Sequence, residues 1–277
     1  PCPEMGFTLS AQYLAHKGDH ISIRLCWDND ELSFSEILEH CGKVPLPPYL
    51  GRASQPEDTE RYQTVFATDA GSVAAPTAGL HFTPEALQSL KEQQVQTDFI
   101  TLHVGAGTFR PVKSEQMEDH NMHAEWIEIT GRQIAGIIAH LDKNIIATGT
   151  TTLRTLESLY WIGNSLLNGQ EPDVHGIAVA QWEPYEQVTH HSTTAALQCL
   201  QEWIRENHND RLITRTQILI APGYTFQVAN GLVTNFHQPR STLLLLVAAF
   251  AGPGWRKIYD YALTHQFRFL SYGDGSL

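Results

Sequence analysis

Cysteine, basic side chains and long hydrophobic runs are all scarce in this chain, and each scarcity removes a class of function. Four cysteines, Cys2, Cys26, Cys41 and Cys199, occur among 277 residues. None stands in a C-x-x-C pair, which argues against a zinc ribbon and against a redox couple. Buried, inert thiols in a reduced compartment are the expectation. Lys and Arg number 18 against 30 Asp and Glu, a formal net charge of -12. That balance argues against non-specific coating of nucleic acid, although a local basic patch can sit on an acidic body. The longest apolar run, 243–251, falls well short of the ~20 residues a membrane helix needs. With no signal-peptide pattern before it, the expectation is a cytoplasmic protein with no membrane contact. The motifs H-E-x-x-H and G-x-S-x-G are absent, so nothing supports a zincin or a nucleophile elbow. There are no internal repeats and no low-complexity tract.

What is present is a globular composition, 42% hydrophobic and 17% charged, in a chain long enough for one or two domains. Alternating residues at 8–15 and 20–27 predict half-buried strands joined by a turn. Ser33 and Glu36 stand at capping-box spacing before a short helix at 33–40. The prolines at 45, 47 and 48 predict a linker or domain edge at 44–52, because proline cannot donate to a ladder and forces extended backbone. Thr83 and Pro84 open a helix running to about residue 94. Strands are predicted at 97–104, 126–129, 144–148, 217–221, 231–234 and 268–271. Helices are predicted at 132–140, 153–167, 195–207, 241–251 and 255–265. Strands and helices alternate, with polar turns mostly at strand C-termini, which predicts an α/β or α+β fold.

Three short runs set histidine beside glycine, threonine or proline: A-P-T-A-G-L-H-F at 75–82, T-L-H-V-G-A-G-T-F at 101–109 and T-N-F-H-Q-P at 234–239. Glycine lets backbone approach a ligand, threonine offers a hydroxyl, and histidine titrates near neutral pH. Spread so widely along the chain, such turns predict one site assembled from distant loops. Gly105 and Gly107 form either a plain tight turn or a backbone cradle with His103 as a nearby acid or base; the dinucleotide-binding pattern is incomplete. Thr150, Thr151 and Thr152 stand at a strand-to-helix turn, where free N–H groups suit a carboxylate. Arg154 and Glu157 form either part of that site or an i,i+3 pair on a wet face. His120 and His123 lack a clear third ligand, so polar residues shaping a pocket outrank a metal site there. His237 is either a buried, satisfied histidine or a site residue. The terminal S-Y-G-D-G-S at 271–276 is either an ordinary turn or part of the site.

Taken together, these runs closely resemble the S-adenosylmethionine:tRNA ribosyltransferase-isomerase family of queuosine biosynthesis. The resemblance runs through P-L-P-P-Y at 45–49, R-Y-Q-T-V-F at 61–66, V-A-A-P-T-A-G-L-H-F at 73–82 and T-L-H-V-G-A-G-T-F-R-P-V at 101–112. It continues with E-D-H-N-M-H-A-E at 118–125, G-T-T-T-L-R-T-L-E-S at 149–158 and P-G-Y at 222–224. It ends in V-T-N-F-H-Q-P-R-S-T-L at 233–243 and F-R-F-L-S-Y-G-D at 267–274. The order is the family's own and covers nearly the whole chain.

The resemblance implies a barrel-like mixed sheet surrounded by helices, at 45–277, with residues 1–44 as the C-terminal part of a small all-β domain. It also implies that earlier parts of the family's chain precede residue 1, and that 160–191 holds an insertion, a hairpin or lid. The implied reaction moves and isomerises the ribosyl part of S-adenosylmethionine onto 7-aminomethyl-7-deazaguanine at the wobble position of a tRNA anticodon. Epoxyqueuosine forms, and adenine and methionine leave. S-adenosylmethionine is then a co-substrate, with no metal and no further cofactor. The acid–base candidates are His81, His103 and His237. Gly105, Gly107 and Thr108 would cradle the nucleoside. Thr150, Thr151 and Arg154 would take the methionine end, and Asn235, Tyr272 and Asp274 would orient base or ribose. A patch from Arg110, Lys113, Arg240, Arg256 and Lys257 would grip tRNA, bound by a monomer. The alternatives are a metal-dependent hydrolase built on His120 and His123, and a non-catalytic tRNA-binding module.

Overall fold

The computed structural model of the chain describes residues 6–17, 20–68, 72, 74–103, 120–208 and 210–277. The chain divides into two units, Pro1–Pro45 and Leu46–Leu277.

In the first unit, β1 (Leu9–Lys17) pairs antiparallel with β2 (His20–Trp27), Leu9 facing Trp27, with an irregularity between Tyr13 and Ala15. Helix α1 (Phe34–Cys41) starts at the predicted capping box. The Ser33 hydroxyl accepts from Glu36 N while the Glu36 carboxylate accepts from Ser33 N, satisfying two donors the helix start leaves open.

The second unit continues with α2 (Asp58–Arg61) and α3 (Pro84–Glu92), then β3 (Thr101–His103), β4 (Glu125–Thr130), α4 (Gly131–Ile138), β5 (Ile146–Thr148) and α5 (Thr150–Leu167). There follow α6 (Glu183–Glu186), α7 (Thr193–Asn207), β6 (Arg211–Thr216), β7 (Gly231–Asn235), α8 (Thr242–Ala251), α9 (Trp255–Thr264) and β8 (Gly275–Ser276). Two three-stranded sheets result, β3-β4-β6 and β5-β7-β8. The first is antiparallel throughout; in the second, β5 runs parallel to β7 and β8 antiparallel to it. The fold is therefore mixed α/β.

The core forms around α5, whose Leu153, Leu159, Tyr160 and Ile162 are wholly buried. Apolar residues on several faces of a helix require neighbours on several sides. Leu197, Leu200 and Ile204 of α7, Ile134 of α4 and Leu246 of α8 join the same core.

Several expectations fail for physical reasons. The predicted strand at 217–221 is extended but joins no sheet: Gln217 N donates to Val179 O and Leu219 N to Gln181 O. The strand lies just before it, at Arg211–Thr216, whose inward residues are Leu212, Thr214 and Thr216. Threonine supplies the β-branched shape without the apolar signature, so the alternation is hard to read. Residues 268–271 form no strand either; β8 lies after them. The first residues of the stretch 160–191 are helical, as the predicted helix at 153–167 requires. Tyr160–Leu167 completes α5, and the chain beyond is tied back to it. Tyr160 Oη donates to His191 O, Asn164 Nδ2 to Thr189 O, and Ser165 Oγ to Glu183. The described cysteines are not buried: Cys26 is exposed, while Cys41 and Cys199 are partly so. Among the described residues, no helix is long and apolar enough to cross a membrane.

Candidate functional site

Glycine at 149 starts the site. Strand β5 continues one residue past Thr148, since Gly149 N donates to Val233 O, and the chain then turns at once into α5. That corner has φ +94°, a conformation side-chain-bearing residues rarely adopt. Among the described residues no side chain caps α5, and its first-turn N–H groups stand beside Thr150, Thr151 and Thr152. These residues line a cleft of about 200 Å³ within the second unit. Its other walls are Tyr49, 74–78, Leu102, Thr234 and Asn235 of β7, 237–241, Leu243, Leu270 and Ser271.

Two lining residues without glycine's freedom have left-handed backbone, Arg240 (φ +58°) and Leu270 (φ +70°). Such conformations persist where surroundings fix them. At Leu270 the fixing is visible: its N–H donates to Phe236 O, and its carbonyl accepts from Asn235 Nδ2 at 2.9 Å. That bond turns Asn235 Oδ1 toward His81, whose Nε2 lies 3.3 Å away. An amide oxygen only accepts, so this contact calls for a hydrogen on His81 Nε2. Gly275, opposite Asn235 in the β7–β8 pair, leaves room for that imidazole. A Cβ there would stand 3.0 Å from the ring.

His237 has another character. It lines the cleft but is buried, with Nε2 2.9 Å from Thr234 Oγ1 and its backbone N–H donating to Tyr259 Oη. Burial pushes its pKa down to about 4, so it is neutral at pH 7.

The remaining predicted residues fall elsewhere. His103 is on β3, with Nε2 3.7 Å from Glu128 of β4, and does not line the cleft, although its neighbour Leu102 does. Gly105, Gly107, Thr108, Arg110 and Lys113 lie outside the described residues. Tyr272 turns away to donate to Asp58, which is buried and held in a two-pronged contact by Arg52. Those bonds hold the Asp58 carboxyl well below the usual carboxylate range. Asp274 accepts from the side chain and backbone of Arg268, closing the terminal turn. Arg256 lies over the Trp255 ring at 5.3 Å. Lys257 and Arg240 are exposed, and Arg240 borders the cleft.

Arg154 and Glu157 form no surface pair; both are buried and point to different partners. Glu157 accepts from Tyr224 Oη and from the backbone N–H groups of Gln227, Val228 and Ala229. Burial pushes its carboxyl up, and those four donors pull the other way. Glu157 is thus the pin of the 224–229 loop. Arg154 crosses to Glu125, Nη1 to Oε2 at 2.7 Å, and donates from Nε to Ile218 O. Glu125 also lies 3.1 Å from His123 Nε2 and accepts from the Thr151 hydroxyl. Sequence reasoning missed Glu125 as a hub; the available signal was a glutamate opening a strand at an inward-facing position. Among the described residues, no three His, Cys, Asp or Glu gather to hold a metal ion.

The chain has matches among known proteins. The family model described as queuosine biosynthesis protein matches residues 4–277, and the chain belongs to that family. The S-adenosylmethionine:tRNA ribosyltransferase-isomerase of Dichelobacter nodosus (strain VCS1703A) is 40% identical over 247 residues, 88% of this chain and 58% of that relative. The protein of the same name from Legionella pneumophila (strain Corby) is 40% identical over 245 residues, 87% of this chain and 60% of its own. A crystal structure of S-adenosylmethionine tRNA ribosyltransferase from Thermotoga maritima is 25% identical, with a TM-score of 0.45, over 96% of this chain and 61% of that one. The chain thus spans 58–60% of the length of these two curated relatives.

Proposed function

We propose that this chain carries the active cleft of an S-adenosylmethionine:tRNA ribosyltransferase-isomerase. The reaction moves the ribosyl part of S-adenosylmethionine onto 7-aminomethyl-7-deazaguanine in tRNA and isomerises it to the epoxyqueuosine form, with adenine and methionine leaving. The observation that supports it is convergence: runs at 74–78, 148–152 and 234–241, far apart in sequence, line one cleft. Relatives of that name are 40% identical over 87–88% of this chain.

In this reading the first-turn N–H groups of α5, with Thr150 and Thr151, receive the carboxylate of the methionine end. Arg154 acts from behind, through Glu125. His81, held against the cleft-lining Asn235, is the exchanging acid or base. His237, neutral at pH 7, is a hydrogen-bonding group. The sulfonium supplies the electrophile, so no metal or further cofactor is invoked. The partner is tRNA, recognised at the anticodon with its modified wobble base, and Arg240 at the cleft rim faces its backbone. The working form is a cytoplasmic monomer. The two sheets belong to a barrel-like assembly, and Pro1–Pro45 to a small β-domain.

The test uses the protein encoded by the complete gene, S-adenosylmethionine, and tRNA bearing the deazaguanine precursor. Adenine release equal to S-adenosylmethionine consumed, with epoxyqueuosine in digested tRNA by mass spectrometry, is the expected result. Folded protein and sound substrate giving neither product would overturn the reading. Turnover unchanged by chelator separates this reading from a metal-dependent hydrolase, and consumption of S-adenosylmethionine separates it from a tRNA-binding module.

A further inference from the structure

We propose that His123 and Glu125 form a carboxylate-oriented proton-transfer pair at the edge of the cleft, with His123 taking the proton and Glu125 as its positioning residue. The inference rests on the functional reading above and adds to it a group outside the His81–Asn235 contact.

The segment before β4 is held, not loose. Gln181 grips it twice, accepting from Met122 N at 2.8 Å and donating to His120 O at 2.7 Å. Gln217 adds a bond to Asn121 Oδ1 at 2.9 Å. Glu125 then opens β4 opposite Thr216 of β6, its side chain 4% exposed. On one carboxylate oxygen, Oε1, the imidazole of His123 and the hydroxyl of the cleft-lining Thr151 converge, at 3.1 and 3.4 Å. Thr151 lines the cleft and shares this oxygen with His123, whose own ring stands behind that wall and not in it. The other oxygen, Oε2, faces Arg154 Nη1 in an ion pair not aligned as a hydrogen bond, and Arg154 Nη2 has no hydrogen-bond partner among the described residues.

A buried carboxylate is costly unless paired, typically by several kcal/mol. Arg154 faces only Oε2, and Oε1 takes its closer contact from His123, a side chain 31% exposed and so within reach of solvent. A carboxylate behind an imidazole fixes which nitrogen carries hydrogen and stabilises the imidazolium when that forms. Here Nε2 donates to Glu125, leaving the Nδ1 lone pair free. In the step, a substrate–hydrogen bond breaks and its electron pair stays on the substrate. The proton joins Nδ1, and the positive imidazolium stands against Glu125, which remains ionised. The proton then passes to the departing group or to water. Among the described residues, the charged and titratable neighbours are Arg154 from α5, His120 from the same segment, and Arg215 of β6, which lies over the Trp126 ring.

The test compares the complete wild-type protein with His123→Gln and Glu125→Gln. His123→Gln changes a partly exposed side chain, so it tests the pair even if Glu125→Gln, which strands buried Arg154, fails to fold. The expected result is a kcat lowered about a hundredfold or more in His123→Gln, with KM for S-adenosylmethionine within about threefold and the acid limb of the kcat profile flattened. A folded Glu125→Gln moves that limb to lower pH. A His123→Gln variant with wild-type kcat and pH profile would overturn the proposal. In parallel, 15N NMR of histidine-labelled protein reads the tautomer of His123 without any turnover. The Nε2–H form supports the pair, and the Nδ1–H form overturns it. A wild-type protein that releases no adenine sinks the functional reading, while the NMR result still decides the pair.

Discussion

The burial of His237 predicts an acid-sensitive fold. Its imidazole titrates at about 4 in the folded protein, against about 6.5 in an unfolded chain. Between those values the unfolded state binds more protons. The neutral folded imidazole therefore contributes its full stability above pH 6.5, and that stability is lost as pH falls toward 4. At about 1.4 kcal/mol per pKa unit, the whole effect is about 3 kcal/mol, of which about 2 kcal/mol is lost between pH 7 and pH 5. Glu157 acts in the opposite sense, because a carboxyl raised by burial favours the folded state as pH falls. Wild type alone would therefore mix the two. The difference between wild type and His237→Gln isolates the histidine, since both proteins retain Glu157. Urea unfolding at pH 7 and pH 5 should show wild type losing about 2 kcal/mol more than His237→Gln over that interval. Equal losses in the two proteins would refute the argument and place the imidazole in contact with water.

The other predictions follow from the same geometry. His81→Ala should cut turnover of the complete protein about a hundredfold or more, with His103→Ala losing less. His140→Ala and His208→Ala, whose rings meet Gly136 O and the Trp203 ring, should stay near wild type. Steady-state kinetics with melting temperatures in parallel decides this, and an unimpaired, folded His81→Ala removes that residue from the site. Gly275→Ala puts a methyl group 3.0 Å from the His81 ring. It should lower kcat with a melting temperature changed by only a few degrees, whereas wild-type kcat would mean the ring can move at no cost. Glu157→Ala strands two buried backbone donors, a third that is partly buried and the Tyr224 hydroxyl, and should cost about 3 kcal/mol or more in chemical denaturation. A loss under about 1 kcal/mol would show that water replaces the carboxylate.

Local rules carried much of the architecture. The capping box at Ser33 and Glu36, the Thr83–Pro84 helix start, the hairpin and the apolar α8 all appear within a few residues of where the sequence puts them. Each depends on groups close together in the chain, so spacing and residue type are enough. The runs at 75–82 and 234–239 and the threonines at 150–152 also stand out in the sequence, and parts of all three line one cleft.

Tertiary structure decided the rest, wherever a side chain's role depends on a partner far away. Arg154 and Glu157 look like an exposed pair at helical spacing; only packing buries them and sends one to Glu125 and the other to the 224–229 loop. His81 and His237 sit in similar turns, yet one is partly exposed beside Asn235 while burial leaves the other neutral. Strand β6 could not be told from the apolar run after it, because sheet membership is fixed by which backbone groups find β4. Sequence names the groups available for chemistry. Burial and long-range hydrogen bonds then set their charge, orientation and access to the cleft.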